Sequence, residues 1–520
     1  MTNQTADFSS VARARFEKRS PLQVYLIALG LVTCVWFVSV SVINLLRAYS
    51  FWFDELFSVS RAQLPLGDLL PLIAKDVHPP LYQGLLWIWA QIFGSGELAM
   101  RGLSFVAVVA GSLAVLRLRE NLGLAFVAIF MTLLYSNWLT VFYAEEARSY
   151  GLLLGLSLVS LVALIRWNVP LLLGVAALIG LTHFFGTMLG TLLCAAVLLR
   201  GAHDKATRGA QIAARLGALI VMTLIALWPA IQMLVGMAGD VSGGNFWIKS
   251  GPFQPIAHAV YASFPASEYF GDHIGAALNV SPMIGTGLMA LIVITLVIIG
   301  AVTVWRSRPV WARAYGYVFA IAVLFTLGIF ALNLHTPMST SRNFITLVPY
   351  VCFLLAAPFA LAVQSRGSMM RRAAPIGLTC AVVLSILAAQ AELAGKTAPL
   401  EAWKETARDV TTRAALTPFT GGLFFLSKGA QTDEDQLVKI YGVYLPETMA
   451  PRPMQASELI GSLSKTQTPK PAALMFGHTP CETIDQLAAE FTAAGMTFTL
   501  TRPQQSVACN GAFFFEAGAE

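Results

Sequence analysis

The chain has 520 residues, of which 56% are apolar and only 12% are charged, and its formal net charge is +6 at pH 7. A soluble domain carries about 45–50% apolar and about 25% charged residues, so this composition excludes a soluble enzyme, a disordered protein and a coiled coil. The apolar runs are continuous, which excludes an outer-membrane barrel and predicts a polytopic helical membrane protein. The excess of Lys and Arg is typical of cytoplasmic loops and indicates no nucleic-acid partner.

Eleven apolar runs are candidates for membrane-spanning helices, which need about 20 mostly apolar residues. They are residues 22–46, 102–117, 122–141, 151–165, 169–183, 185–199, 216–238, 284–304, 315–334, 344–363 and 375–391. The first run follows a basic segment, 1–21, and is too long for the apolar region of a signal peptide. We therefore predict a retained anchor, with segment 1–21 in the cytoplasm.

A further apolar segment, 79–94, decides the side on which every later loop lies. If it does not cross the membrane, 17 Lys and Arg side chains lie inside and 7 lie outside before residue 392; if it crosses, the counts become 8 and 16. Cytoplasmic loops carry the excess of Lys and Arg, so the first arrangement is favoured. We predict one long external loop, 47–101, in which 79–94 form a helix at the membrane surface.

The last 129 residues, 392–520, have a different pattern from the rest of the chain. Helices are predicted at 401–415, 432–441 and 482–494, and strands at 423–427, 472–476 and 512–516, which indicates a small α/β domain. An odd number of spans puts this domain outside the membrane, in an oxidising compartment. There Cys481 and Cys509 are predicted to form a disulfide, with two unpaired buried thiols as the alternative.

Two adjacent carboxylates, Asp54 and Glu55, come just after the first span and follow three aromatic residues, 51–53. Burial raises the pKa of a carboxyl group and a nearby cation lowers it, and either shift can tune a general base. An Asp at this position can instead serve as a helix cap, and that structural alternative stays open. The pair is the sharpest candidate for catalysis in the sequence.

Three further polar motifs fall on the same predicted external face. In segment 76–82, two prolines favour the start of a helix, with His78 as a cap or a site residue. Glu145 and Arg148 are three residues apart, so they either form an ion pair that anchors a helix end or help to hold a phosphate. Arg342 opens the tenth span, and because a helix N-terminus is already positive, an Arg there suits an anion site.

Taken in order, these motifs resemble the integral-membrane glycosyltransferases of the C fold, over about residues 20–365. The segments that carry the resemblance are W-x-D-E at 52–55, HPPLY at 78–82, YAEEARSY at 143–150, THFFG at 182–186 and SRNFITLVP at 341–349. The likeness is strongest to the family 39 group, which includes protein O-mannosyltransferases and the lipid A aminoarabinose transferase. It implies an all-α transmembrane catalytic domain, 22–391, of about 11 helices, followed by the extracytoplasmic α/β domain, 392–520.

The resemblance also implies a reaction: inverting transfer of a sugar from a polyprenyl-phosphate donor to a hydroxyl of a cell-envelope acceptor. The acceptor would be lipid A or lipopolysaccharide, a glycan or a protein, on the outer face of a bacterial inner membrane. Asp54 matches the acidic residue that acts as base, and Glu55 would orient it or bind acceptor. Arg148, Lys249 and Arg342 are candidates for the lipid phosphate. The other residues assigned to the donor and acceptor pocket are His78, Tyr82, Arg101, Glu145, Glu146, Tyr150 and His335.

Glu145 and Glu146 occupy the place of a second acidic motif, which in some members of the superfamily binds a metal ion. This segment has no Asp-x-Asp, so no cofactor is required in this interpretation and a divalent metal stays an open alternative. A lipid or glycolipid flippase is the rival from another class, but the inverted repeats and broken midplane helices typical of transporters are not evident. A non-catalytic scaffold protein would lack the external carboxylates, and Asp54 and Glu55 are present.

Overall fold

The computed structural model describes residues 20–74, 76, 78–202, 206–234, 250–263, 281–307, 309–364, 368–397, 401–427, 434–463, 470–502 and 509–516. Most of the predicted cytoplasmic segment, 1–21, lies outside these ranges. Up to residue 397 the described chain is helical, and its helices and 3-10 turns are Pro21–Arg47, Phe53–Ala62, Leu66–Ala74, Leu81–Phe93, Glu97–Val115, Leu116–Leu118, Arg119–Leu122, Leu124–Ser136, Trp138–Tyr143, Ser149–Arg166, Val169–Gly180, Phe184–Arg200, Arg208–Leu234, Gln254–Tyr261, Pro282–Ser307, Pro309–His335, Ser341–Leu347, Val348–Gln364 and Ser368–Thr397.

Within the described residues, each of the eleven predicted apolar runs falls on helical structure; residues 235–238 of the run 216–238 lie outside them. In the same part of the chain, eight helical segments are long and apolar enough to cross a membrane by themselves, and three apolar helices are shorter: Leu124–Ser136, Val169–Gly180 and Phe184–Arg200. Asn137 ends the first of these, because its side chain caps the following short helix by accepting two backbone N–H hydrogen bonds. Together with the C-terminal sheet, these helices confirm the predicted fold class, a polytopic helical membrane domain with a small α/β domain.

The helices Glu97–Val115 and Ser149–Arg166 pack with their backbones in contact. A Cβ atom at Gly111 would lie 2.5 Å from the carbonyl oxygen of Gly155, which leaves no room for any side chain. Small residues at such crossings are typical of membrane helices, since they let two backbones approach closely. The contact brings the start of one helix beside the loop that precedes the other, and both ends carry polar residues singled out in the sequence.

The long loop 47–101 contains three helices, of which the sequence predicts only the last: Phe53–Ala62, Leu66–Ala74 and Leu81–Phe93. Trp87, in the middle of the last helix, donates its indole N–H to the carbonyl oxygen of Leu64 at 2.9 Å. The helix Leu81–Phe93 therefore lies against the preceding part of its own loop. This packing agrees with a segment that stays at one end of the helix bundle.

We expect residues 79–94 to stay on the outer side of the membrane, because the opposite arrangement reverses the distribution of Lys and Arg. Reporter fusions placed after Arg119 should report a cytoplasmic position, and fusions after His183 an external one. A fusion after Arg200 serves as control and should again be cytoplasmic. The reversed pattern at all three positions would mean that 79–94 cross the membrane.

The C-terminal domain is built on a five-stranded mixed sheet with the strand order β2-β1-β3-β5-β4. The strands are β1 (Gly422–Leu426), β2 (Arg452–Met454), β3 (Ala472–Thr479), β4 (Phe498–Thr501) and β5 (Cys509–Phe515). β1 is parallel to β2 and β3, whereas β5 is antiparallel to β3 and β4. The helices of this part are Trp403–Leu416, Glu434–Gly442, Ala456–Leu463 and Cys481–Ala493. The sequence misses β2 and β4, which have only three and four residues.

A disulfide joins Cys481, at the start of the last helix, to Cys509, at the start of β5. The Cα atoms of the two residues are 5.1 Å apart. Because β5 lies beside β3 in the centre of the sheet, the disulfide ties this helix to the core of the domain.

The C-terminal domain docks on the loop 47–101 through a shared apolar cluster. Phe51, Leu56 and Val59 of the loop pack in the same buried cluster as Trp403 and Tyr441 of the C-terminal domain. At the edge of this contact, Lys404 Nζ pairs with Glu97 Oε1 at 2.8 Å. The helix Phe53–Ala62 therefore lies between the membrane helices and the C-terminal domain.

Candidate active site

Asp54 lies in the first turn of the helix Phe53–Ala62 and faces Arg342, which lies in the 3-10 turn Ser341–Leu347. Arg342 Nη1 is 3.2 Å from Asp54 Oδ2. The Asp54 side chain is 25% exposed and that of Arg342 is 14% exposed, so the ion pair can be reached from outside. Residues almost 300 positions apart are joined here (|i−j| = 288), a separation that only the tertiary fold can close.

Glu55 is adjacent to Asp54 in sequence but faces a different partner. Arg101 donates from Nε to Glu55 Oε1 at 2.8 Å and from Nη2 to Glu55 Oε2 at 2.6 Å, and both side chains are essentially unexposed. The backbone N–H of Ala147 also donates to Glu55 Oε1, at 2.9 Å. This bidentate pair ties three segments together. The sequence leaves two roles open for Glu55, orienting Asp54 or binding acceptor, and assigns Arg101 to the pocket.

Arg148 and Arg342 both contact the helical turn that carries Asp54. Arg148 Nη1 donates to the backbone carbonyl oxygen of Asp54 at 3.2 Å and to Ser58 Oγ at 3.0 Å. Burial lowers the pKa of Arg148, but nearby negative charge, first that of the Asp54 carboxylate, outweighs this effect. The net pKa is raised, so the guanidinium stays protonated. The guanidinium carbon of Arg342 lies 5.6 Å from the centre of the Tyr150 ring. Two arginines and one carboxylate therefore form a single charged cluster.

Glu145 and Glu146 are completely buried beside this cluster. The Ser104 hydroxyl donates to the backbone carbonyl oxygen of Glu146 at 2.5 Å, which fixes the loop before the helix Ser149–Arg166. Within the described ranges, no group of three or more His, Cys, Asp or Glu side chains is arranged to hold a metal ion. The two glutamates thus lie at the predicted place without forming such a group there.

A chain of polar and aromatic contacts leads from the loop 47–101 to the charged cluster. His78 Nδ1 is 3.1 Å from Asp76 Oδ1, and the other carboxylate oxygen of Asp76 pairs with Arg61. The rings of His78 and His183 are 5.2 Å apart, and His183 lies 5.5 Å from Tyr150. Burial raises the pKa of Asp76, but its hydrogen bond to His78 and the charges of His78 and Arg61 lower it well below its usual value. Asp76 is therefore ionised at neutral pH.

A small cavity of about 20 Å³ lies among these groups. Its polar lining residues include Ser58, Asp76, His78, Tyr82, Arg148 and Thr182. A volume of this size accommodates about one water molecule and excludes a sugar ring.

Lys249, which the sequence assigns to the site, lies outside the described residues. His335 is exposed at the end of the helix Pro309–His335, and within the described part of the chain its side chain makes no hydrogen bond or ring contact with the cluster. Tyr82, which the sequence assigns to the donor and acceptor pocket, is buried and lines the small cavity.

Three residues of the cluster have no role assigned from the sequence alone. Ser58 comes four residues after Asp54, and this spacing indicates that the two side chains share one face of the helix. The Ser58 hydroxyl accepts a hydrogen bond from Arg148, a contact that depends on the fold. His183 lies in the THFFG segment, so that motif marks it, but its contacts depend on the fold. Arg61 is an isolated cation in the sequence. Its ion pair with Asp76, 15 residues later, has no local sequence pattern that would predict it.

Comparison with solved structures places the whole chain in a known architecture. The apo structure of ArnT from Cupriavidus metallidurans superposes with a TM-score of 0.55 at 12% sequence identity, over 94% of this chain and 98% of that chain. The structure of ArnT from the same organism bound to undecaprenyl phosphate gives a TM-score of 0.52 at 11% identity, over 93% and 97% of the two chains. No protein-family model and no curated protein sequence matches this chain. The likeness thus concerns the fold: the chain has the fold of the two ArnT structures, which agrees with the resemblance predicted from the sequence.

Proposed function

We propose that this protein transfers a sugar from a polyprenyl-phosphate donor to a hydroxyl group of a cell-envelope acceptor. The observation that carries the proposal is the contact between Asp54 and Arg342, with Arg148 on the same helical turn. It joins a carboxylate that can accept a proton to cations that can hold a phosphate. The undecaprenyl phosphate bound to the structurally similar ArnT supports a lipid-phosphate donor. We place the protein in a bacterial inner membrane, with this cluster facing the periplasm.

In the proposed reaction, the acceptor oxygen forms a bond to the anomeric carbon while the bond from that carbon to the phosphate oxygen breaks. The acceptor's proton goes to Asp54, and the electron pair of the broken bond leaves with the lipid phosphate. A phosphate leaves as an anion, so cations stabilise its departure and a general acid is not needed. A hydroxyl group is a weak nucleophile, which is why a positioned base accelerates the step.

Arg342 has two candidate partners in this proposal. Without donor its partner is Asp54, at a distance of 3.2 Å. A phosphate group accepts charge-assisted hydrogen bonds from guanidinium groups as a carboxylate does, so the two anions compete for Arg342. Donor binding would then move Arg342 towards the phosphate and leave Asp54 as a stronger proton acceptor. Arg148 stays tied to the backbone of Asp54 and to Ser58, and it adds positive charge from the other side.

Glu55 and Arg101 have a positioning role in this proposal, because their buried pair fixes the turn that carries Asp54. The residues that line the pocket around Asp54 in this proposal are Glu145, Glu146, His78 and Tyr150. No cofactor is required for the proposed step. A divalent metal remains the alternative for the acidic segment, with Glu145 and Glu146 as its ligands.

The transfer reaction can be tested directly with purified protein in detergent or in proteoliposomes. We expect radiolabel to move from a polyprenyl-phosphate sugar to a component of a membrane glycolipid extract, and not from a nucleotide sugar. Repeating the assay with a chelator tests the alternative of a bound metal. Movement of the labelled donor across the bilayer, with no labelled product from any donor and acceptor offered, would instead favour a transporter.

Replacing Arg342 with Ala is expected to weaken donor binding by about one to two orders of magnitude. A charge-assisted hydrogen bond contributes about 1.5–3 kcal/mol, which corresponds to this range. The measurement is the apparent Michaelis constant for the polyprenyl-phosphate sugar at saturating acceptor. Arg313→Ala, another Arg of the membrane domain, is the control and should leave this constant unchanged. If Arg342→Ala leaves the donor dependence unchanged, Arg342 serves only to anchor the structure.

A further inference from the structure

The side chain next to the proposed base is held by the C-terminal domain. Phe53, which directly precedes Asp54, stacks on the imidazole ring of His478 with ring centres 5.0 Å apart and an angle of 18° between the planes. Trp403 lies on the same side, with its ring centre 6.4 Å from that of Phe53. The first turn of the helix Phe53–Ala62 is therefore in contact with two aromatic side chains from outside the membrane domain.

The backbone at His478 has a conformation that L-residues rarely adopt. Its φ angle is +49°, in the left-handed region that favours glycine. The position lies where the pairing of β3 with β5 becomes irregular, between Phe476 and Thr479. The backbone N–H of His478 donates to the Asn510 side chain at 3.2 Å, which helps to hold this conformation. Strained residues of this kind are often found at functional sites.

The imidazole ring is fixed by a buried carboxylate. His478 Nδ1 is 2.5 Å from Glu401 Oε1, and the second oxygen of Glu401 accepts a hydrogen bond from the Trp403 indole N–H at 2.6 Å. The Glu401 side chain is 5% exposed, whereas that of His478 is 46% exposed. Gly477 makes this arrangement possible, because a Cβ atom there would collide with the Trp403 ring. A carboxylate bound at both oxygens is a rigid support for the ring.

We propose that His478, oriented by Glu401, is a positioning residue of the transfer reaction: it holds Phe53 and so sets the position of Asp54. This inference rests on the proposed role of Asp54 as base. It gives the C-terminal domain a part in the reaction, since one of its strands supplies a contact to the turn that carries the base. Small displacements of reacting groups are costly, and a shift of about 1 Å can lower a rate by about a hundredfold.

Simple docking of the two domains is the competing explanation, and the chain offers a control for it. Lys404 joins the C-terminal domain to Glu97, at the start of the helix Glu97–Val115, at 2.8 Å. Lys404→Ala weakens the docking at its edge, whereas His478→Asn removes the ring from Phe53. Asn tolerates the left-handed backbone and His478→Gly relieves the strain, so both variants should fold although they lose the contacts of the ring with Phe53 and Glu401.

We expect His478→Asn and His478→Gly to lower kcat by about ten- to a hundredfold, with the donor KM unchanged. Lys404→Ala should keep both parameters. In a Phe53→Ala protein, which has already lost the stacked pair, His478→Asn should cost no further activity, because His478 acts through Phe53. Full activity of His478→Asn, or losses that multiply in the double variant, would overturn the proposal.

Hydrogen exchange separates a failure of this inference from a failure of the proposed function. Exchange of the backbone amides of residues 54–57 should become about two- to tenfold faster in His478→Asn, the range expected when one aromatic contact is lost, and should not change in Lys404→Ala. This readout needs no substrate. Unchanged exchange in His478→Asn would overturn the positioning role even if the wild-type protein transfers sugar. Faster exchange without any transfer would show that His478 holds this turn and that the proposed function, not the contact, has failed.

Discussion

Replacing Asp54 with Asn is expected to lower turnover by about 10²–10⁴-fold, the usual contribution of a positioned general base. Asn keeps the size of the side chain and can still accept a hydrogen bond from Arg342, but it cannot take up the acceptor's proton. Donor binding should therefore persist. The measurement is kcat at saturating donor and acceptor, with donor affinity determined separately on the same preparation.

Asp68→Asn is the matched control, because Asp68 is an exposed acid in the same loop and should be silent. If Asp54→Asn keeps near-normal turnover while Glu145→Gln or Glu146→Gln abolishes it, the base lies in the segment 143–150 instead. If Asp54→Asn, Glu145→Gln and Glu146→Gln all keep the turnover of the wild-type protein, catalysis does not depend on these carboxylates. That result would favour the transporter interpretation.

Replacing Glu55 with Gln is expected to act mainly on stability, with a loss of about 3–5 kcal/mol. The pair of Glu55 with Arg101 is buried, with side-chain exposures of 0% and 1%, so the substitution leaves the guanidinium charge without its counter-ion inside the protein. The measurement is the free energy of unfolding in detergent, followed by denaturant titration. Glu120→Gln removes one partner of the exposed Glu120–Arg166 pair and should leave this free energy almost unchanged, because water screens the pair.

The effect of Glu55 on stability can be separated from its effect on turnover by measuring turnover of the folded fraction. A positioning role predicts that a double replacement of Glu55 and Arg101 by uncharged residues recovers part of the lost stability, because no buried charge is then left alone. If Glu55→Gln is as stable as the wild-type protein but has no turnover, Glu55 acts in the reaction itself, for example by binding acceptor, which is one of the two roles that the resemblance implies.

Hydropathy predicts the membrane domain well because each span has to be apolar along its whole length. In the described residues all eleven predicted runs are helical for this reason, including the three that form short helices. The helices Phe53–Ala62 and Leu66–Ala74 were not predicted, since they mix polar and apolar residues and pack against other parts of the protein. In the C-terminal domain, the buried strands β1, β3 and β5 have apolar runs that reveal them, whereas the short edge strands β2 and β4 do not.

The candidate site was predictable in its location and not in its pairings. Membrane topology alone assigns Asp54, Arg148 and Arg342 to one face, and the structure brings these three residues into contact. The partner of Glu55 could not be predicted, because Arg101 is 46 residues away and reaches Glu55 only through the packing of the membrane helices. The contact of Phe53 with His478 joins two domains and has no local signal at all.

The anomeric configuration of the product tests the central claim most directly, because it depends on whether a carboxylate acts as base or as nucleophile. With Asp54 as base, the acceptor attacks the anomeric carbon in a single displacement. NMR of the purified product from a donor of known configuration should then show inversion at this carbon. Retention of configuration would require a covalent intermediate on a carboxylate, as in retaining glycosidases, and would contradict the assignment of Asp54 as general base.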